Sequence, residues 1–201
     1  AALLGSSSIG GNLSVRSGQG ITQNGGTTLT VTGTSLFAAG NNQALNIGNV
    51  GNAFTGAVTL ETSGTGNATL RNTAATVLGS VDVGGGFALT SQGASVTQTG
   101  SILVDGTLSV SSSGSITLEN TSNQIVTLGT VTRGGAFSLN TSGSLSLNGP
   151  VNTGTQANDV TIRSCNGNLT FDSGAIIGTT GDGNDIVLVS ANGIANNAGA
   201  S

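Results

Sequence analysis

No histidine, lysine, tyrosine, tryptophan or methionine occurs anywhere in the sequence, and each absence removes a class of function. The basic residues are Arg16, Arg71, Arg133 and Arg163, and aromatic residues make up 2%. With neither a basic stripe nor a stacking platform, nucleic acid is not an expected partner. Without His or Lys, most general-base schemes lack a candidate. The acids Glu61, Asp82, Asp105, Glu119, Asp159, Asp172, Asp182 and Asp185 form no recurring pair of the kind that glycoside chemistry uses. Catalytic, cofactor and metal residues are therefore assigned to none, and the chain reads as not an enzyme. Cys165 is alone, so no intrachain disulfide forms, and no imidazole stands by to activate its thiol. No apolar run approaches the roughly 18 residues that would suggest a membrane-spanning helix.

Charge is scarce too, at 6% of 201 residues with a net charge of −4. Low complexity of this kind could signal disorder, but disordered chains are rich in charge and proline. Here there is one proline, Pro150, beside 35 glycines; 35% of residues are hydrophobic and mean hydropathy is +0.20. Val, Ile and Thr run throughout, which is strand composition.

What is present is a repeat. "GGNLSVRSGQGITQ" (residues 10–23), "GGFALTSQGASVTQ" (85–98) and "GGAFSLNTSGSLSL" (134–147) share paired glycines followed by alternating triplets. Such triplets recur along the chain, as in Leu29-Thr30-Val31, Leu45-Asn46-Ile47, Val58-Thr59-Leu60, Ile116-Thr117-Leu118 and Val160-Thr161-Ile162. Alternation puts the outer two side chains on one face and the middle one on the other. A longer period lies above this one. Leu4 answers Leu78 at a shift of 74, Thr30 answers Leu103 at 73, and Leu45 answers Ile116 at 71.

Short strands with frequent turns fit a sandwich or a solenoid. Self-similarity and glycine-rich turns favour the solenoid, and the chain is read as a single domain over residues 1–201. The expected fold is all-β, a right-handed parallel β-helix of about nine or ten coils at roughly 20 residues each. The fourteen-residue motif is expected to specify one face and corner of the coil.

The run "GGNLSVRSGQGITQNGGTTLTVTGTSLFAAG", followed by "LNIGNVGNAFTGAVTLET" and "NATLRNTAATVLGS", resembles the β-strand repeats of filamentous haemagglutinin-like exoproteins. These are bacterial surface adhesins, many exported by two-partner secretion. The resemblance covers nearly the whole chain and is closest over residues 3–128. It implies an extracellular, surface-displayed shaft that supports cell attachment or biofilm. The partners it implies are a glycan or protein receptor on a host cell or surface, copies of the chain itself, and an outer-membrane secretion partner. The start "AALLGSSS" aligns with residues 75–80 in mid-repeat, so the chain reads as a segment of a longer protein. Two other functions compete: a fibre or sheath protein that stacks end to end, and a carbohydrate-binding or carbohydrate-cleaving β-helix.

Weaker signals have ordinary explanations. "GDGNDIVL" holds Asp182 and Asp185 in a single calcium-like turn, whereas such sites need consecutive copies. The Asn-X-Ser/Thr sites at Asn12, Asn67, Asn120, Asn140 and Asn168 are expected by chance in this composition. Threonine runs such as residues 27–32 raise an ice-binding face, but Ser, Asn, Asp and Gly interrupt the columns.

Overall fold

The computed structural model describes residues 1–93, 95–153, 158–178 and 184–197, and these form a parallel β-solenoid. No helix occurs among them, and every strand pairing is parallel, which rules out the sandwich. Each turn offers three strand positions, and strands at one position stack on their counterparts in the turns above and below.

The first face runs through Ala2–Leu4, Ile21–Gln23, Leu45–Ile47, Ala68–Asn72 and Phe87–Ser91. It continues through residues 108–112, residues 131–133, Pro150–Thr153 and Ile176–Gly178. The second face opens with Ser7–Ile9, Leu29–Val31 and Ala53–Phe54. It resumes with residues 76–78, Val96–Gln98, Ile116–Leu118, Phe137–Thr141, Val160–Ser164 and Ile186–Ser190. The third face begins with Leu13–Arg16, Ser35–Asn41 and Val58–Ser63 and ends with Leu145–Leu147, Asn168–Phe171 and Gly193–Asn196.

Eight steps join the nine strands of the first face, giving about eight turns where nine or ten were expected. Turns are uneven, and most are longer than the regular spacing suggested. Ala2 stacks on Ile21 by a short step, whereas the steps from Ile21 to Leu45 and from Val151 to Ile177 are long. The extra residues lie at corners, where the chain can bulge without disturbing the stacked strands.

Within each triplet the outer residues fill the coil. Leu29, Val31, Leu45, Ile47, Val58, Leu60, Phe87 and Leu89 are buried, while Thr30, Asn46 and Ala88 face outward. One continuous apolar column runs from Ile21 to Ala175. Phe37 and Phe54 meet edge to face inside it, with ring centroids 5.9 Å apart at 81°. Close stacking at corners requires glycine: a Cβ on Gly56 would collide with the Gly33 carbonyl one turn below.

The repeat does not keep to one face. Leu45–Ile47 lies on the first face, and its copy Ile116–Leu118 lies on the second. Leu29–Val31 lies on the second face and its copy, residues 102–104, on the third; Leu13–Val15 lies on the third and Phe87–Leu89 on the first. Each copy thus returns after three turns plus one face. The fourteen-residue motif also advances by one face per copy, its third copy after two turns rather than three, which corrects the expectation of a single corner. Residues 10–23 span the third-to-first corner, 85–98 the first-to-second and 134–147 the second-to-third. One motif serves all three corners because each needs the same thing: an inward triplet, a tight turn, and a second inward triplet.

Phe54 is fully buried, and its ring holds Phe37 in place across one turn. We expect Phe54→Ala to lower unfolding free energy by about 3–5 kcal/mol. Chemical denaturation followed by circular dichroism reads this loss, and a change below about 1 kcal/mol would contradict the packing.

Candidate functional site

The polar side chains inside the coil have a task that the alternating pattern does not predict. Gln23, at the end of a first-face strand, and Asn52, one turn above, pair their amides reciprocally. Gln23 Nε2 donates to Asn52 Oδ1 at 2.9 Å, and Asn52 Nδ2 donates to Gln23 Oε1 at 2.8 Å. Asn52 Oδ1 also accepts the Leu29 N–H at 2.9 Å, and its Nδ2 reaches the Ile47 carbonyl at 3.2 Å. The Asn49 N–H donates to Gln23 Oε1 at 3.3 Å. These two side chains satisfy backbone groups where the corner at residues 48–52 departs from the ladder. Asn52 is 0% exposed and Gln23 6%, so nothing but each other and the main chain is there to bond them.

The arrangement occurs twice. Gln98 Nε2 donates to Asn123 Oδ1 at 2.8 Å, and Asn123 Nδ2 returns a bond to Gln98 Oε1 at 3.0 Å. Asn123 Oδ1 accepts the Ile102 N–H at 2.9 Å, Asn123 Nδ2 reaches the Leu118 carbonyl at 3.2 Å, and the Asn120 N–H donates to Gln98 Oε1 at 3.3 Å. Every partner of the first clamp has a counterpart in the second. Position 72 shows how far the copies can diverge. Asn72 Oδ1 takes the Phe54 N–H at 2.9 Å and its Nδ2 donates to the Phe54 carbonyl at 2.9 Å, so a side chain stands in for a ladder strand. In the later copy the hydroxyl of Thr141 takes the Ile125 N–H at 3.2 Å.

The clamps carried a signal in the sequence. Gln follows Thr at 23 and at 98, and an Asn lies seven positions beyond both Leu45 and Ile116. In a chain so rich in Asn and Ser, those letters are indistinguishable from turn residues until the coil closes on them.

Arg133 also points inward and is 2% exposed. Its guanidinium donates to the carbonyls of Gly135, Asp159 (3.2 Å) and Asn158 (3.5 Å). Burial lowers its pKa, and the nearby Asp159 carboxylate works in the opposite direction. Ser and Thr do the same job at other corners: Thr62 bonds the Gly66 carbonyl at 2.8 Å, and Ser190 the Gly193 carbonyl at 2.7 Å.

Outside the coil, three charged residues gather in one place. Arg16, Ala38, Glu61 and Asp82 occupy one outward row of the third face in successive turns. Arg16 Nη1 reaches past Ala38 to Glu61 Oε2 at 3.0 Å, with side-chain exposures of 62% and 43%. A groove of about 520 Å³ lies over this row, lined also by Ser17, Gly18, Ala39 and Ser63. An ion pair this exposed contributes under about 1 kcal/mol to stability.

The residues singled out from the sequence do not converge. Asp182 lies outside the described residues. The Asp185 N–H donates to Asp159 Oδ1 at 3.0 Å, and its carbonyl accepts the Val160 N–H at 2.9 Å, so this residue serves the ladder. No group of three His, Cys, Asp or Glu side chains forms among the described residues. Cys165 is exposed. Asn12 and Asn67 brace corners, their Oδ1 atoms accepting the Thr34 N–H at 2.9 Å and the Gly86 N–H at 2.7 Å. On the second face Thr97, Thr117, Ser138 and Thr161 stack as an outward hydroxyl ladder, ended by Val77 on one side and Val187 on the other.

These features define a parallel β-solenoid repeat protein. Residues 1–61 and 65–132 match the DUF5649 family, described as repeats of unknown function, and the chain belongs to that family. The ends of the two matched segments are offset by the same interval that separates Asn49 from Asn120 and Asn52 from Asn123. No curated protein and no solved structure gives a significant match.

Asn52→Ala and Asn123→Ala each leave a buried N–H and a buried carbonyl without their partner, at about 1–3 kcal/mol per stranded group. More than three turns, or about 16 Å, separate the clamps, so the losses in the double variant are expected to add. Urea titrations of the two single variants and the double variant check this; a double variant no weaker than either single would show that the clamps are not independent supports.

Proposed function

We propose that the chain is a structural shaft of a secreted bacterial surface adhesin, built as a right-handed parallel β-helix that holds a binding region away from the cell. The observation that carries this reading is the unbroken apolar column from Ile21 to Ala175, which makes one stiff body of all the turns. At a strand spacing of about 4.8 Å, eight steps give an axial length of roughly 38 Å. Stability in such a stack accumulates from neighbour to neighbour. Right-handedness follows the rule for crossovers between parallel strands, which hold that hand in roughly 98% of cases. The resemblance of the residues 3–128 region to filamentous haemagglutinin-like repeats points the same way, and with it to an extracellular place at the cell surface.

A second reading is a fibre or sheath that grows by end-to-end stacking. It is favoured by the exposure of Ile186 and Ile194, which continue the inward rows of Val160 and Leu169 into the last described turn. Negative-stain electron microscopy with light scattering over a concentration series separates the two. Discrete short rods at every concentration are the expected result. Long uniform filaments would put the fibre reading first. Labelling of intact, unpermeabilised cells by an antibody against the chain is the matching expectation for location.

A further inference from the structure

We propose that the groove over Arg16, Glu61 and Asp82 is a binding site for a saccharide carrying a free amino group. The reading begins with an imbalance of charge. Glu61 and Asp82 are in-register neighbours on adjacent turns, so their carboxylates stand side by side about 5 Å apart at the backbone. Arg16 reaches Glu61 from two turns below, and it can do so because Ala38 between them is small. The Asp82 carboxylate has no ion-pair or hydrogen-bond partner among the described residues. The row therefore offers two carboxylates and one cation, with the uncompensated acid at the far end. An ammonium group between Glu61 and Asp82 completes the alternation and gains charge-assisted hydrogen bonds.

The rest of the groove selects what carries that ammonium. Its volume of about 520 Å³ is in the range of small-ligand sites, and it opens to solvent. The Arg16 stem, which crosses the buried Ala38, and the Ala39 methyl give the groove a small apolar floor, and Ser17 and Ser63 line it. A sugar ring matches both: its C–H face lies on that floor while its hydroxyls exchange hydrogen bonds with serine, guanidinium and carboxylate. The site does not depend on the chain being a shaft.

Isothermal titration with a fully deacetylated β-1,4-linked glucosamine tetramer, its N-acetylated form, cellotetraose and putrescine tests the proposal. The deacetylated tetramer is expected to bind, and the acetylated form, the glucose tetramer and the ring-free diamine to bind at least about tenfold more weakly. Asp82→Asn should weaken binding about tenfold, with the melting curve unchanged because the residue is exposed. Arg16→Gln should tighten it, since the variant frees Glu61. Equal binding of the neutral tetramers, or weaker binding by Arg16→Gln, would show recognition of hydroxyls by the guanidinium and overturn the amine assignment. Equal binding of putrescine would overturn the saccharide assignment, and absence of binding at millimolar tetramer would overturn the site. Rods or filaments in the microscope leave all these outcomes unaffected, so the two readings fail separately.

Discussion

The hydrogen bond from one turn's backbone to the next is the constraint on which everything else in this molecule rests. It fixes the rise per turn, and with it the distance between every side chain and its counterpart above. Once that spacing is set, each inward position must hold something that packs against its neighbours, and each outward position something that tolerates them. Apolar triplets meet the first demand. The near absence of charge meets the second, because a charge repeated at each turn would face its own kind at close range. Two of the arginines obey the same rule, whereas Glu61 beside Asp82 departs from it. Arg16 lies under Glu61 with Ala38 between, and Arg133 is folded inside among carbonyls.

Corners are where the constraint is hardest to keep, since the chain must turn while its backbone groups still find partners. Here the protein uses side chains as spare backbone. Asn72 gives Phe54 both a donor and an acceptor, Gln23 with Asn52 does so for Leu29 and Ile47, and Gln98 with Asn123 does so again. Amides suit the task because each carries donor and acceptor together, as a peptide group does. Varying turn length costs little under this arrangement. The short step from Ala2 to Ile21 and the long one from Val151 to Ile177 coexist in one stack.

This division explains what could be read in advance. The triplets gave the strands directly, because Leu45-Asn46-Ile47 and its relatives alternate so plainly that period and burial coincide. The strand at residues 76–78 was not apparent, since one of its inward residues, Thr76, is polar, and the buried role of Gln23 was hidden for the same reason. The long period was visible as letters, but its meaning was not. A shift such as that from Leu45 to Ile116 says nothing about rotation until the length of a turn is known, and that length depends on corners the pattern does not describe. The charged groove was hidden for a related reason: Arg16, Glu61 and Asp82 are far apart in sequence, and only the register of the third face brings them into one row.

The extra third of a turn in each repeat has a geometric meaning. Were the period a whole number of turns, every copy of the motif would fall on one side of the column, and its corners would line up along one edge. Advanced by one face per copy, equivalent corners point in three directions instead. The same precession that hides the period from a reader of the sequence shows each side of the column a different part of the repeat.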